Sequence, residues 1–415
     1  MFLGYSCRRC NAELGPDEAT YRCPRCSGNL DVRCDIAQTD RDRIAQSRDP
    51  SLWRYAPLLP VPVAADDAGP LRGVGGTPLY CAPRLAQELG LGRVWLKDEG
   101  RMPTGSLKDR ASAVVVQRAR ALGLSPIITA STGNAGVALA AMAPCAGIAA
   151  VILVPASAPP AKLAQLQVFG AQLVLVRGSY DDAFDLSEAA AREFGWYCRN
   201  TAQNPFTTEG KKTVSFEIAE QLGWRAPDRV FVSVGDGNIL VGVHKGFGEL
   251  LALGFIDRMP KIMGVQAEGS SPIARAFLAG SDRIEPCQTN TLADSIAAGR
   301  PADGERALAA VRETGGAFVI VSDDQILEAI PKLGRAAQVF AEPAAAAAYA
   351  GLEALARAGE LASDEEVVVL VTGTGLKDVG AAMRAVPGAP PSIEPSLLAL
   401  RDVLSVVPPT QERQP

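Results

Sequence analysis

Short apolar runs alternate with helix-length segments from Val94 to Val176, and this alternation restricts the fold more than any other feature of the 415-residue chain. Val94-Trp95-Leu96-Lys97 reads as a strand, and Ser106 onward as a helix to about Leu122. Pro126–Ala130 is a strand, Val137–Cys145 a helix, Ala150–Val154 a strand, Ala161–Phe169 a helix and Gln172–Val176 a strand. The pattern resumes with a helix over Gly210–Leu222 and strands at Val230–Val234, Lys261–Gln266 and Val367–Thr372. Strands that are apolar throughout, each followed by a helix, predict a parallel sheet covered on both faces. The fold class is α/β, with two lobes sharing a cleft and ligands expected at the carboxyl ends of the strands. No charged residue lies between Arg120 and Lys162, but Pro126, Pro144, Pro155 and the turn at 133–136 interrupt the stretch. A membrane span needs about 20 unbroken apolar residues, so strand, turn, helix and strand is the expected reading.

Outside this region, residues 1–34 form a module rich in Cys and Arg. Residues 35–75, with Pro57, Pro60, Pro62 and Pro70, read as a linker, and residues 386–415 as a Pro-rich tail. Within the tail, the amphipathic segment Ser396–Val406 is expected to pack on the body. A net charge of −5 argues against nucleic-acid and anionic-membrane partners, which call for a basic surface. The start, Met1 to Cys7, lacks the basic and apolar regions of a secretory signal. Four of the nine cysteines have paired spacing and five are scattered, which suits a reducing cytoplasm better than a disulfide framework.

The paired cysteines are Cys7-x-x-Cys10 and Cys23-x-x-Cys26, separated by 12 residues. Two such knuckles can present four thiolates tetrahedrally, the geometry of a closed structural zinc site with no open position for catalysis. A redox CxxC normally occurs singly on a βαβ unit, which does not match. Metal binding would supply folding free energy that so short a module lacks. Arg8, Arg9, Arg22, Arg25 and Arg33 cluster here and are read as a solvated face.

Four segments of the α/β region carry chemistry. Lys108 lies in Pro103-Thr104-Gly105-Ser106-Leu107-Lys108-Asp109-Arg110, a loop-to-helix junction. With Ser106 as N-cap, Lys108 falls in the first helical turn, where the positive helix end disfavours an ammonium and keeps the amine reactive. Most lysines are plain surface charges, so Lys108 counts only with its companions. Ser131-Thr132-Gly133-Asn134-Ala135-Gly136 follows a strand and opens a helix. Its N–H groups and hydroxyls suit a small carboxylate, although a plain helix cap is the commoner fate of such residues. Val230–Val234 runs into Gly235-Asp236-Gly237-Asn238-Ile239-Leu240, a glycine turn able to cradle a phosphate. Neither a complete dinucleotide fingerprint nor a GxxxxGK[ST] loop is present. Val367–Val371 runs into Thr372-Gly373-Thr374-Gly375-Leu376-Lys377-Asp378, where Thr372 either faces a ring nitrogen or simply ends a strand. Pyridoxal phosphate needs a lysine, phosphate donors, a partner for its ring nitrogen and a hydrogen bond to its ring hydroxyl. The segments together point to amino-acid chemistry on that cofactor. A neutral partner for the nitrogen favours elimination or replacement at the β-carbon over transamination. His244 is the only histidine, which leaves Ser-His-Asp hydrolase chemistry unsupported.

In this order the segments resemble those of the fold-type II pyridoxal-phosphate enzymes, the tryptophan synthase β-like fold, and within them the threonine synthase family. Further matches are Asn204-Pro205, Glu209-Gly210-Lys211-Lys212-Thr213, Gly264-Val265-Gln266-Ala267-Glu268-Gly269 and Phe340-Ala341-Glu342-Pro343-Ala344. The resemblance runs to about residue 380, starting from the cysteine module, which looks like the zinc ribbon preceding some archaeal and bacterial members. It implies a two-lobed catalytic region over 76–385, with a smaller lobe of roughly 100–180 inserted in the larger. It further implies that Lys108 is the Schiff-base lysine, that Asn134 bonds the ring hydroxyl, and that Ser131, Thr132 and Gly133 take the substrate carboxylate. Gly235, Asp236, Gly237, Asn238 and Ile239 would surround the cofactor phosphate, with Thr372 at the ring nitrogen. The implied activity, in a homodimer, converts O-phospho-L-homoserine and water to L-threonine and phosphate.

Two features depart from the family pattern. Thr207 stands where an arginine often grips the substrate phosphate, and Ala135 and Asp236 replace a Thr and an Asn. Lys211, Lys212 and Arg110 are the cations available to substitute. The competing readings are a threonine or serine dehydratase, an ammonia-lyase, or a cysteate-synthase-like elimination or replacement enzyme. A non-enzymatic zinc-ribbon regulator on a dead scaffold is opposed by the intact Lys108 and Asn134.

Overall fold

The computed structural model describes residues 1–63, 69–158, 160–386 and 388–404. Three strands build the N-terminal module: β1 (Phe2–Cys7), β2 (Glu13–Leu14) and β3 (Leu30–Cys34). The remainder holds β4 (Leu79–Cys81), β5 (Arg93–Asp98), β6 (Ile127–Ala130), β7 (Ala150–Pro155), β8 (Gln172–Val176), β9 (Tyr197–Cys198) and β10 (Arg229–Ser233). It continues with β11 (Lys261–Ala267), β12 (Phe318–Val321) and β13 (Glu366–Val371).

The module is an antiparallel sheet of order β2-β1-β3. The body has a six-stranded sheet, β12-β11-β10-β13-β5-β4, and a four-stranded sheet, β8-β7-β6-β9. Both body sheets are parallel except at the edge, where β4 runs antiparallel to β5. Strand β13 shows why a continuous apolar run marks a covered strand. Val367, Val369 and Val371 pack into one core with the helix Pro343–Arg357, while Val368 and Leu370 face the opposite core with the helices Phe206–Gln221 and Asn238–Ala252. Side chains alternate across the sheet, so both faces must be apolar when helices cover both.

The uncharged stretch after Arg120 is β6, the helix Asn134–Cys145 and β7. Among the described residues no helix is long and apolar enough to cross a membrane. Several expectations need correction. The helix expected from Val137 begins at Asn134, and that expected from Gly210 begins at Phe206, where the Asn204 side chain accepts from the Phe206 N–H at 3.0 Å. The four-stranded sheet takes its last strand from Tyr197–Cys198, beyond residue 180. Within 35–75 the backbone forms short helical turns, but Leu52, Trp53, Tyr55 and Leu58 are buried, and Trp53 Nε1 donates to the Leu71 carbonyl at 2.9 Å. Residues 52–58 are thus packed against the body rather than running as a free linker. The tail helix Leu397–Leu404 forms, yet none of its residues is buried, so its apolar side has no covering surface among the described residues. Residues 405–415, the rest of the tail, lie outside the described part.

Candidate active site

The loops after β5, β6, β10 and β13 converge on Lys108. The lysine loop is stitched to the end of β13: Leu107 N–H donates to Thr372 O at 2.9 Å, Thr374 N–H donates to Gly105 O at 3.0 Å, and Ser106 bridges Gly373. Lys108 is therefore held beside Thr372 as the first residue of the helix Lys108–Ala121. The cap position belongs to Leu107, not to Ser106, whose Oγ is buried without a partner. Asp109, in the first helical turn, accepts from Thr104 N–H at 2.7 Å, which closes the loop onto the helix. Lys108 forms no hydrogen bond or ion pair among the described residues. Burial, and then the charge of Arg199, push its pKa down to about 8 against the opposing pull of Asp236 and Glu342. Desolvation of the amine thus dominates where the helix end was the expected cause.

Asn134 opens its helix at the end of β6, preceded by the half-buried turn Ser131–Gly133. Its Nδ2 donates to both Glu342 carboxylate oxygens, at 3.0 and 3.1 Å. This leaves the amide oxygen free to accept from a hydroxyl. Glu342 is tied in turn to the Thr372 loop through its own N–H, which donates to Gly373 O at 3.0 Å. Burial pushes the Glu342 carboxyl pKa up. Sequence reading marked the Phe340–Ala344 segment without assigning Glu342 any task. The available signal was an acidic residue directly before a helix-opening proline.

The turn after β10 opens the helix Asn238–Ala252. Gly237 has φ +92°, and a Cβ there would lie 2.9 Å from Asp303 O, so glycine is required on both counts. The first-turn N–H groups of this helix have no carbonyl to pair with inside the helix, which makes its start an anion site. The Asn238 side chain turns inward, donating to Thr208 Oγ1 at 2.8 Å and Asp303 Oδ2 at 2.7 Å. Only its backbone is left for a phosphate. Six buried side-chain polar atoms lack partners among the described residues, and three of them, Ser106 Oγ, Ser233 Oγ and Arg199 Nη2, lie on segments meeting at Lys108. Buried polar atoms are rarely left unpaired. A missing polar guest, the lysine and the phosphate-ready helix start together fit pyridoxal phosphate.

Of the three cations considered as substitutes at position 207, two are committed elsewhere. Lys212 pairs with Glu209 at 2.6 Å and Glu249 at 2.9 Å, and Arg110 is enclosed by Glu99 and Glu217. Lys211 alone faces the site; its Nζ donates to Asn238 Oδ1. His244 pairs with Glu313 at 3.2 Å, remote from this chemistry.

Cys7, Cys10, Cys23 and Cys26 converge with all four sulfurs within 4.8 Å of one another, and two pairs lie at 3.5 Å. Tetrahedral zinc with Zn–S of about 2.3 Å sets its sulfurs roughly 3.8 Å apart, so the donor set fits. The module is also wired to the phosphate turn. Asn29 Nδ2 donates to Asp303 Oδ1 at 2.7 Å and to Ala302 O at 2.8 Å, while Asp303 N–H donates to Asp236 O at 2.8 Å. Neither Asn29 nor Asp303 stood out in the sequence, because the contact that joins them spans 274 residues.

Residues 71–373 match the family model described as pyridoxal-phosphate dependent enzyme, and the chain belongs to that family. Its relatives narrow the class. The threonine synthase of Methanosarcina acetivorans is 41% identical over 379 residues, covering 90% of this chain and 91% of its own length. That of Methanocaldococcus jannaschii is 38% identical over 406 residues, covering 96% and 98%. Among solved structures, threonine deaminase isoform 2 from Solanum lycopersicum superposes with a TM-score of 0.66 at 21% identity, covering 90% of this chain and 98% of that one. Maize serine racemase gives 0.64 at 23%, covering 74% and 91%. These two likenesses bear on the fold alone.

Proposed function

We propose that the chain has threonine synthase activity, converting O-phospho-L-homoserine and water to L-threonine and inorganic phosphate. The observation that carries this reading is the half-buried Lys108 amine, unpaired among the described residues and held beside Thr372, in a chain whose relatives over nearly its whole length are threonine synthases.

Bound pyridoxal phosphate would supply an electron sink for negative charge developing at the α- and β-carbons of the substrate. The chain's own groups do the rest. Lys108 would hold the cofactor and then, as a neutral amine, take up the α-proton. Asn134, oriented by Glu342, would accept from the ring hydroxyl, and Thr372 would serve the ring nitrogen. The backbone of Gly235, Asp236, Gly237, Asn238 and Ile239 would hold the cofactor phosphate. Ser131, Thr132 and Gly133 would take the substrate carboxylate. Loss of a β-proton and of the γ-phosphate, protonation at the γ-carbon, addition of the water hydroxyl at the β-carbon and return of a proton to the α-carbon complete the balance. The test is release of inorganic phosphate and L-threonine from O-phospho-L-homoserine by the cofactor-loaded protein; no release rejects the substrate.

One observation favours a second reading. The Asp236 carboxylate acts on both Lys108 and Lys211, where it opposes a substrate phosphate. An ammonia-lyase on threonine or serine would tolerate it, and would reveal itself in the same assay by a 2-oxo acid and ammonia.

The four cysteines are assigned a structural zinc. Metal analysis should find one zinc per chain, lost in the double variant Cys10→Ser and Cys23→Ser. Because Asn29 and Asp303 connect the module to the phosphate turn, that variant should also release cofactor faster on dilution. Unchanged metal content would refute the site. We assign residues 1–34 to this module, 35–75 to a connecting segment, 76–385 to the catalytic region and 386–415 to a tail. A cytoplasmic homodimer without nucleic-acid or membrane partners completes the reading.

A further inference from the structure

The geometry points to Arg199 and Lys211 as an anion subsite, built from two lobes of the cleft, that receives the phosphate of the substrate. This rests on the phosphohomoserine reading above and names the groups that make it work.

Arg199 follows β9, and its N–H extends the pairing to β6 by donating to Ile128 O at 2.8 Å. Its side chain is wholly buried, yet it meets no carboxylate. Nε donates to Ser112 Oγ at 3.2 Å and Nη1 to Thr201 Oγ1 at 2.9 Å, while Nη2 has no partner. Buried guanidinium groups normally fork onto carboxylates, as Arg110 does here onto Glu99 and Glu217. Arg199 keeps one donor free. Ser112 lies one turn beyond Lys108 on the same helix face, so the guanidinium runs alongside the lysine.

Lys211 reaches the same space from the other lobe. Gly210 lets its helix approach the Lys108 helix closely, since a Cβ there would fall 2.1 Å from Arg110 O. Lys211 is fully buried, and among the described residues its Nζ donates to the Asn238 amide oxygen alone. Thr207, one turn earlier on the same face, reaches that same Asn238 oxygen at 3.4 Å. The charge of Lys211 therefore stands at the position that Thr207 leaves neutral. Burial, then the charges of Lys108 and Arg199, push its pKa down.

The kind of guest follows from the donors. Neither Arg199 nor Lys211 forms an ion pair among the described residues, and the Arg199 Nη2 lacks a partner there. An anion supplies the missing acceptor. The cofactor phosphate has its donors at the start of Asn238–Ala252, whereas Arg199 belongs to the other sheet. There the neighbouring Asn200 accepts from Ala130 N–H at 3.0 Å, directly before the Ser131–Asn134 turn. Arg199 is thus on the substrate side of Lys108. Its partners are hydroxyls that leave Nη2 free, and the phosphate of the substrate is an anion able to accept from it.

The test uses holoenzyme with Arg199→Gln, Arg199→Lys and Lys211→Gln, each checked by thermal melting. For either glutamine variant the KM for O-phospho-L-homoserine should rise about 10- to 100-fold, the worth of one charged hydrogen-bond partner. Competitive inhibition by inorganic phosphate should weaken in parallel, cofactor absorbance and retention compared at a pH above the Lys108 pKa should stay unchanged, and Arg199→Lys should recover part of the loss. Unchanged KM and phosphate inhibition overturn the proposal, as does a loss of cofactor retention, which would give these cations to the cofactor phosphate instead. If Arg199→Gln does not fold, Arg199→Lys and Lys211→Gln decide by the same readouts. Should wild-type holoenzyme release no phosphate from the substrate, the activity reading fails. The subsite then stands or falls separately on calorimetric binding of inorganic phosphate to wild-type and Lys211→Gln holoenzyme.

Discussion

Alanine at position 108 is expected to lower turnover by at least about 10³-fold while leaving the fold intact. Lys108 makes no ion pair or hydrogen bond among the described residues, so its removal costs the structure little. A melting temperature near that of wild type, together with loss of the borohydride-sensitive visible absorption, would separate this outcome from misfolding. The amine also carries a pH signature. Burial and the Arg199 charge bring its pKa to about 8, so the neutral, nucleophilic form gives way to the ammonium as pH falls through that value. Cofactor uptake by the apo-protein should therefore rise with pH to a midpoint near 8 and fall about tenfold per unit below it. Neutralising Asp236 as Asp236→Asn removes a carboxylate that raises the pKa, and the midpoint moves down. Arg199→Gln removes a cation that lowers it, and the midpoint moves up. Retained turnover in Lys108→Ala, or a midpoint above 10, would remove Lys108 from the chemistry.

The parallel sheets and the chemistry-bearing loops could be read from the sequence because both are local signals. Val367–Val371 is apolar at every position, so covering on both faces followed from pattern alone, and each glycine turn marked itself by its own residues. What escaped were groups defined by distant partners. Glu342 acquires its task only because Asn134 lies against it, 208 residues away in the chain. Nothing in the sequence set Arg199 apart; its free Nη2 depends on Ser112 and Thr201 being hydroxyls rather than carboxylates. Ser106 had the right residue type for a cap, but the pairing of its loop with Gly373 turns the chain and leaves Leu107 at that position. The substitutes for the missing arginine could not be ranked before the fold showed Lys212 and Arg110 already neutralised. The tail helix fits its amphipathic pattern, yet pattern alone cannot provide a surface for it to cover.

Removing the carboxylate of Glu217 is expected to destabilise the protein by about 3–5 kcal/mol, because it leaves two buried cations without their common partner. Glu217 accepts from both terminal nitrogens of Arg110, at 2.6 and 2.7 Å, and from Lys97 Nζ at 2.7 Å. Glu99 completes the set by accepting from Arg110 Nε at 2.6 Å, so two cations and two carboxylates cancel in a space that water does not reach. In Glu217→Ala one negative charge must serve both cations. Burial alone would push the Glu217 pKa up, but Arg110 and Lys97 outweigh it and hold the carboxyl well below its usual range. For an acid with a depressed folded pKa, the stabilisation is present above the unfolded value of about 4.5 and disappears as pH falls toward the folded one. Glu217→Ala should therefore lose most at neutral pH, and its stability should fall less steeply than that of wild type on acidification below that range. Denaturant midpoints at pH 7 and pH 4 would measure both effects, and a loss under 1 kcal/mol at pH 7 would show that the network is not holding charge as the distances imply. The consequence reaches the active site, since Arg110 lies two residues beyond Lys108 in the same helical turn. A network that slackens should lower kcat even in molecules that remain folded, and Glu217→Gln, which keeps the shape and one acceptor oxygen, should fall between the alanine variant and wild type on both measures.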